Sequence, residues 1–181
     1  MTLPDNVLQT ARLTLTPPVL ADFEESAALW GDPVVMRHMG GEGLTRTASW
    51  AGFLRSVGSW ALLGYGGWVV RERASGRFVG EAGFTDFKRD ITPALGDDPE
   101  AGWVLAPWSH GQGFAAEAVA AMLAWGDARF DGARTVCMIN LGNAPSLRLA
   151  SRMGYTEFAR STFRGDEVVL LQRPAPGRQS G

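Results

Sequence analysis

Apolar and polar residues alternate over Arg12-Leu13-Thr14-Leu15-Thr16, a period of two that predicts a first strand, and Pro17-Pro18 ends it. Leu20, Phe23, Ala27 and Trp30 then recur at helical spacing, with Gly31 as a stop. Trp50, Phe53, Leu54 and Val57 predict a second, amphipathic helix, with Thr45 or Thr47 as its N-cap. Residues 67–72 and 78–84 are strand-like and flank Ala74-Ser75-Gly76-Arg77, which predicts a hairpin. Residues 88–99 read as a polar loop containing Pro93 and Gly96. A strand over 100–105 leads into a Gly-rich turn, and a long helix runs from about Phe114 to Phe130. Residues 135–139 form an apolar run and predict a buried strand. A short helix follows from Pro145 to Met153, ended by Gly154. Two closing strands, 155–163 and 168–172, are joined by Arg164-Gly165-Asp166. This order predicts an α+β (mixed α/β) fold with a central, partly antiparallel sheet. Residues 1–173 make one domain, and the Pro- and Gly-rich stretch 174–181 reads as a flexible tail.

Composition narrows the function. The chain has 181 residues, 45% hydrophobic and 20% charged, as an ordinary globular domain does. Seventeen basic and 19 acidic residues leave a formal charge of -2, so nothing suggests a nucleic-acid partner. Cys137 is the one cysteine, and His38 and His110 lie far apart, so neither an intramolecular disulfide nor a metal cluster is expected. A reducing cytoplasm is the expected location. The first residues lack a basic start followed by an apolar run, so no signal peptide is expected. The densest apolar run, near 118–125, is too short to span a bilayer.

The most informative stretch is 104–118. A strand runs into His110-Gly111-Gln112-Gly113-Phe114-Ala115-Ala116, then into an Ala-rich helix. The two glycines permit unusual backbone angles, so several N–H groups can converge on one anion at a helix N-terminus. A diphosphate is the natural guest. Gly111-x-Gly113-x-x-Ala116 also fits a dinucleotide fingerprint. That motif needs an acidic residue at the end of the next strand, and residues 138–143 hold none.

The stretch 110–115 resembles the pyrophosphate loop Q/R-x-x-G-x-G/A of the GNAT superfamily, with His110 at the usual Arg or Gln position. Residues 10–15, 32–36, 64–70, 79–84, 100–105 and 143–155 resemble, in order, segments of its ribosomal-protein N-acetyltransferase branch. The last of them, Asn143-Ala144-Pro145-Ser146-Leu147-Arg148-Leu149 through Gly154-Tyr155, resembles the N-x-x-S-x-R-L…G-F motif.

The resemblance implies a central, mostly antiparallel sheet flanked by helices. The strand 100–105 and the next strand would splay apart at a bulge. Acetyl-CoA is the implied co-substrate, with no metal. Its pantetheine arm would pair with Trp103, Val104 and Leu105, as a peptide augments a sheet. Its pyrophosphate would rest on the loop of His110, Gly111, Gln112, Gly113, Phe114, Ala115 and Ala116. Asn143 carries over as a pantetheine contact and Ser146 as a group near the sulfur. Arg148 and Arg152 fit either phosphate contact or solvation.

The implied reaction is direct attack of an amine on the thioester, giving an N-acetyltransferase. Backbone N–H groups near Val104 and Leu105 are the candidate oxyanion donors. Glu100 and Glu81 are the candidate bases, each also readable as a solvated strand residue. The Tyr that serves as thiolate acid in many members is replaced by Ala150. Ser146 then relays the proton through water, or else caps the short helix. Trp30 and Trp108 fit either the acceptor cleft or packing, whereas Trp68, Trp103 and Trp125 fit the core. Glu117 belongs in the first helical turn, and Cys137 reads as core. The acidic run Asp97-Asp98-Pro99-Glu100 would attract a cationic amine. Two alternatives stand beside this reading, a different acyl donor such as succinyl-CoA and a non-catalytic CoA-binding protein. Monomer and homodimer fit equally.

Overall fold

Eight strands build the sheet: β1 (Leu8–Gln9), β2 (Leu13–Thr16), β3 (Gly67–Glu72), β4 (Phe78–Thr85), β5 (Glu100–Leu105), β6 (Thr135–Asn140), β7 (Thr156–Phe163) and β8 (Asp166–Arg173). The computed structural model describes residues 4–175. Of the tail expected over 174–181, residues 176–181 lie outside the described residues. The strand order is β1-β2-β3-β4-β5-β6-β8-β7, and every pairing is antiparallel except β5–β6. The helices are α1 (Phe23–Gly31), α2 (Pro33–Met36), α3 (Arg46–Leu63), α4 (Phe114–Arg129) and α5 (Ala144–Arg152).

Alternation along the strands sorts the two faces. Leu13, Leu15, Trp68, Val70, Phe84, Ala101 and Leu105 pack with Phe114, Ala118, Val119 and Met122 of α4 in the main core. The opposite face carries Val69 and Phe78, which pack with Leu29 of α1. One irregularity in β4 aims the chemistry. Val70 pairs with Gly80 and Arg71 with Phe78, so Val79 is an extra residue, a β-bulge. The bulge reverses the alternation: Val79 points into the α4 core, and Glu81, two residues later, lines the cavity on the other face.

Three sequence expectations need correction. The stripe Trp50, Leu54 and Val57 of α3 is exposed, and only Phe53 of that set is buried, so the helical period marks a partly solvent-facing stripe. The loop over 88–99 is less polar in packing than in composition: Leu95 is buried against Val136, Val168 and Leu170, with Ile91 beside it. β5 pairs with β4 in unbroken register from Glu100 to Leu105, so the register shift near the splay lies between β3 and β4. Thr45, of the two candidates, caps α3 by accepting from the Ala48 N–H at 3.2 Å.

Candidate active site

The sheet opens between β5 and β6. These parallel neighbours share a single pairing, Glu100 with Val136, and the Val136 N–H donates to the Pro99 carbonyl at 3.1 Å. Beyond that point the strands diverge. The antiparallel ladder decides which groups face the opening. Ala106 N–H donates to the Val79 carbonyl at 2.9 Å, and the register with β4 is continuous. Hydrogen-bonded pairs alternate along such a ladder, so Val104 and Gly102 turn their N–H and C=O toward β4. Trp103 and Leu105 therefore turn theirs toward the opening, free of a strand partner among the described residues. The Val104 amide is committed to the ladder, which corrects its candidacy as an oxyanion donor; the Leu105 and Trp103 amides face the opening. The Leu105 carbonyl is matched by His110 Nε2 at 3.0 Å. His110 thus fastens the end of β5 to the turn through its ring.

The turn itself has the expected shape. Gly111 and Gly113 have φ of 74° and 80°, a region that favours glycine. Gly113 is the residue from which α4 departs. A Cβ built on Gly111 meets nothing within 4 Å, so this surface is open to a ligand. The loop is braced from below by a long-range contact without a local sequence signal. Arg12 Nη1 donates to the Gln112 carbonyl at 2.9 Å and Nε to Glu117 Oε2 at 2.7 Å, with the guanidinium 4.5 Å over the Phe114 ring. Thr10 and the Arg12 N–H both donate to Glu117 Oε1. Partial burial works against the Glu117 carboxylate, but these hydrogen bonds prevail and hold it below the usual range.

At the mouth of the opening stands α5. Asn143 is its N-cap and accepts the Ser146 N–H at 3.2 Å, leaving its amide NH2 as a donor. The cap role foreseen for Ser146 therefore belongs to Asn143. Both residues line a cavity of about 410 Å³ that runs from the opening across the sheet beneath α1 and α3. Its floor includes Glu81, Gly83, Gly102 and Val104.

The two candidate bases differ sharply here. Glu100 is buried and accepts both Nε and Nη2 of Arg89, at 2.7 and 2.8 Å, in a two-pronged ion pair. Glu81 has no cationic partner among the described residues. Trp30 Nε1–H donates to its Oε2 at 2.9 Å, and the Ser26 hydroxyl lies beside it. Burial raises the Glu81 carboxyl above its ordinary value, against the lowering effect of Ser26 and Trp30. The acidic run is also spoken for: Lys88 pairs with Asp97 at 2.8 Å, Arg134 with Asp98 at 2.6 Å and Arg89 with Glu100. The attraction for cations read from the sequence is thus largely neutralised.

A family model described as acetyltransferase (GNAT) domain matches residues 12–156. The chain belongs to the GNAT acetyltransferase family. A solved GNAT-family protein from Bordetella pertussis shares 35% identity and a TM-score of 0.83, over 92% of this chain and 98% of that one. An acetyltransferase from Agrobacterium tumefaciens shares 26% identity with a TM-score of 0.77, over 94% and 95% of the two chains. A ribosomal-protein α-N-acetyltransferase solved with coenzyme A shares 15% identity, with a TM-score of 0.76 over 95% and 99%, a likeness of fold. The chain is thus an acyl-CoA-dependent acetyltransferase.

In this GNAT chain the residues expected to hold donor and acceptor converge. Trp103, Val104, Asn143, Ser146, Glu81 and Glu100 line one cavity. Leu105 and residues 110–116 continue β5 into α4 beside it. Trp30 lines the cavity, whereas Trp108 donates to the Phe78 carbonyl and lies under Arg77, a packing role. Trp68 is fully buried, with Trp103 and Trp125 partly so. Cys137 lies buried on the cavity floor, and burial pushes its thiol up, out of thiolate chemistry. Tyr155 is also buried, bonded to Thr135 Oγ1 at 2.8 Å, so it belongs to the core. No helix among the described residues is long and apolar enough to cross a membrane.

Proposed function

We propose that the chain moves an acetyl group from acetyl-CoA to a primary amine by direct attack, with Glu81 holding and deprotonating the amine. The observation that carries this assignment is the contrast between two carboxylates on one cavity wall: Arg89 clamps Glu100, and Glu81 faces the cavity with neutral donors only.

Acetyl-CoA supplies the thioester. The free C=O of Trp103 and one of the two opening-facing N–H groups, of Trp103 or Leu105, pair with the amides of its pantetheine arm, and Asn143 adds its NH2. The amides that follow Gly111 and Gly113 receive the pyrophosphate at the start of α4. One opening-facing amide, that of Leu105 or Trp103, stabilises the charge that develops on the carbonyl oxygen, a role worth about 3 kcal/mol. Glu81 accepts the amine proton. Its raised pKa brings it closer to the working pH, which favours proton transfer. Ser146, at the mouth of the same opening, relays a proton to the leaving sulfur through water. A thiol titrates near ~8.5, so this assistance can be weak and still suffice. Glu100 serves as a positioning residue, holding Arg89 at the far end of the cavity.

The assay is release of free thiol from acetyl-CoA across a panel of amines, in wild type and Glu81→Gln. Amine-dependent release that falls with the substitution supports the assignment. Amine-dependent release unaffected by it would remove Glu81 from the mechanism.

A further inference from the structure

At the end of the cavity away from Trp30, three arginines from three segments meet around two aromatic rings. Arg55 of α3 lies 5.1 Å from the Phe87 ring centroid, and Arg89 lies 4.2 Å from the same ring. Arg89 also lies 5.0 Å from the Phe163 ring, and Arg164, in the β7–β8 turn, 5.3 Å from it. Arg55, Phe87, Arg89, Phe163 and Arg164 thus form one continuous chain, and all five line the cavity.

The charges here are not balanced one for one. Glu100 is fully engaged by Arg89. Arg55 and Arg164 make no ion pair among the described residues, although Asp166 also lines this part of the wall. Burial lowers the pKa of Arg55, and the charges of Arg89 and Arg164 lower it further. Arg55 is only half-covered and both arginines stay exposed at the rim of the cavity, so their charge remains within reach of an anionic group.

A second observation comes from the same helix. Ser49 is 3% exposed, and its hydroxyl has no hydrogen-bond partner. Ser49, Gly52, Phe53 and Ser56 recur at spacings of three and four, so one face of α3 borders the cavity. A buried hydroxyl without a partner normally has an explanation, such as a ligand.

We infer that the acceptor is an amine whose own molecule carries a carboxylate, read by Arg55 and Arg164 around Phe87 and Phe163, with the Ser49 hydroxyl as a further contact. This rests on the acetyltransferase reading and names its acceptor class. Glu81 receives the ammonium end and the arginines the anionic end, so the two walls orient the acceptor by charge. Polyamines and basic peptides are disfavoured by the same arrangement. Two sources share the chemistry, a small ω-amino carboxylate whose two charges lie several bonds apart and the N-terminus of an acidic peptide.

The test is calorimetric binding to protein saturated with coenzyme A. The probes are 6-aminohexanoate against 6-aminohexanamide, and an alanine-initiated peptide of glutamates against one of lysines. The carboxylate-bearing member of at least one pair should bind about tenfold more tightly, as a guanidinium–carboxylate contact supplies. Added salt should narrow the difference. In the Arg55→Ala/Arg164→Ala double variant that ratio should fall to about twofold or less. Preference within the first pair alone assigns a small ω-amino carboxylate, and within the second alone an acidic N-terminus. Absence of binding, equal affinities, a preference for the amide or the lysine peptide, or a ratio untouched by the double variant would each overturn the inference. Stabilisation by acetyl-CoA is read separately, and its loss would strike at the acetyltransferase reading instead.

Discussion

The Trp30 indole N–H donates to Glu81 Oε2 at 2.9 Å, tying α1 to the bulged strand β4 on the wall of the acceptor cavity. The contact fixes the carboxylate without neutralising it. Burial does the rest, and the carboxyl holds its proton above the ordinary range. Activity should therefore rise with pH through a value higher than that of a free glutamate. Glu81→Gln should lower kcat/KM by about 10²- to 10⁴-fold, the usual contribution of a positioned base, and abolish that rise. A pH–rate profile of both proteins checks this.

The same shift predicts a stability change of opposite sign to the activity change. A carboxyl raised in the folded state binds its proton more tightly folded than unfolded. Its favourable contribution is complete below the unfolded value and is lost as pH rises through the folded one. Glu81→Gln removes this loss and can still accept from Trp30. Thermal unfolding at neutral pH should show the variant melting above wild type, with the difference vanishing in acid.

Glu100 should behave differently. Its two-pronged pair with Arg89 is buried, so Glu100→Gln leaves a guanidinium short of its counter-ion and should cost about 3–5 kcal/mol in stability. The rise of activity with pH should survive in whatever fraction remains folded. Denaturant unfolding together with the pH profile separates this outcome from that of Glu81→Gln.

Gly102 sits on the cavity floor, paired with Gly83, and a Cβ there would meet nothing within 4 Å. Gly102→Leu should fill the acceptor space. The acceptor KM should rise at least tenfold, about 1.4 kcal/mol, while stabilisation by acetyl-CoA persists. Initial rates at varied acceptor, alongside melting with acetyl-CoA, check both halves.

The brace below the loop gives a further expectation. Arg12→Ala releases the Gln112 carbonyl and leaves Glu117 with Thr10 alone among its side-chain partners. The KM for acetyl-CoA should rise, with acceptor KM little changed. Glu117 is held below its usual range, so its stabilising effect is present at neutral pH and lost as pH falls through the folded value. Wild type should therefore lose stability in acid more steeply than Arg12→Ala.

Much of this arrangement was legible in the chain because it is local. The strand Glu100–Leu105 and the start of α4 at Phe114 were found at their true limits, since alternation, Pro107 and two glycines mark them. β1, of two residues, and α2, of four, are too short to carry a period. The α3 stripe misled because periodicity reports an apolar face and not what covers it: Trp50 stacks on Phe53 and meets Phe23 edge-to-face at the surface rather than under the sheet. The contacts that distinguish the site are long-range. Arg12 meets Glu117 across 105 positions, and Trp30 meets Glu81 across 51. Only the folded chain could demote Glu100 below Glu81, because the arginine that clamps it sits in a loop with no periodic signal.

The central claim is that the opening between β5 and β6, with the loop at Gly111 and Gly113, holds acetyl-CoA. Thermal unfolding of the purified chain with acetyl-CoA, and with NAD as comparator, tests it most directly. Acetyl-CoA at ~100 times its dissociation constant should stabilise the fold by ~2.7 kcal/mol, and NAD should not. A melting temperature unmoved by acetyl-CoA, or moved equally by NAD, would contradict the account.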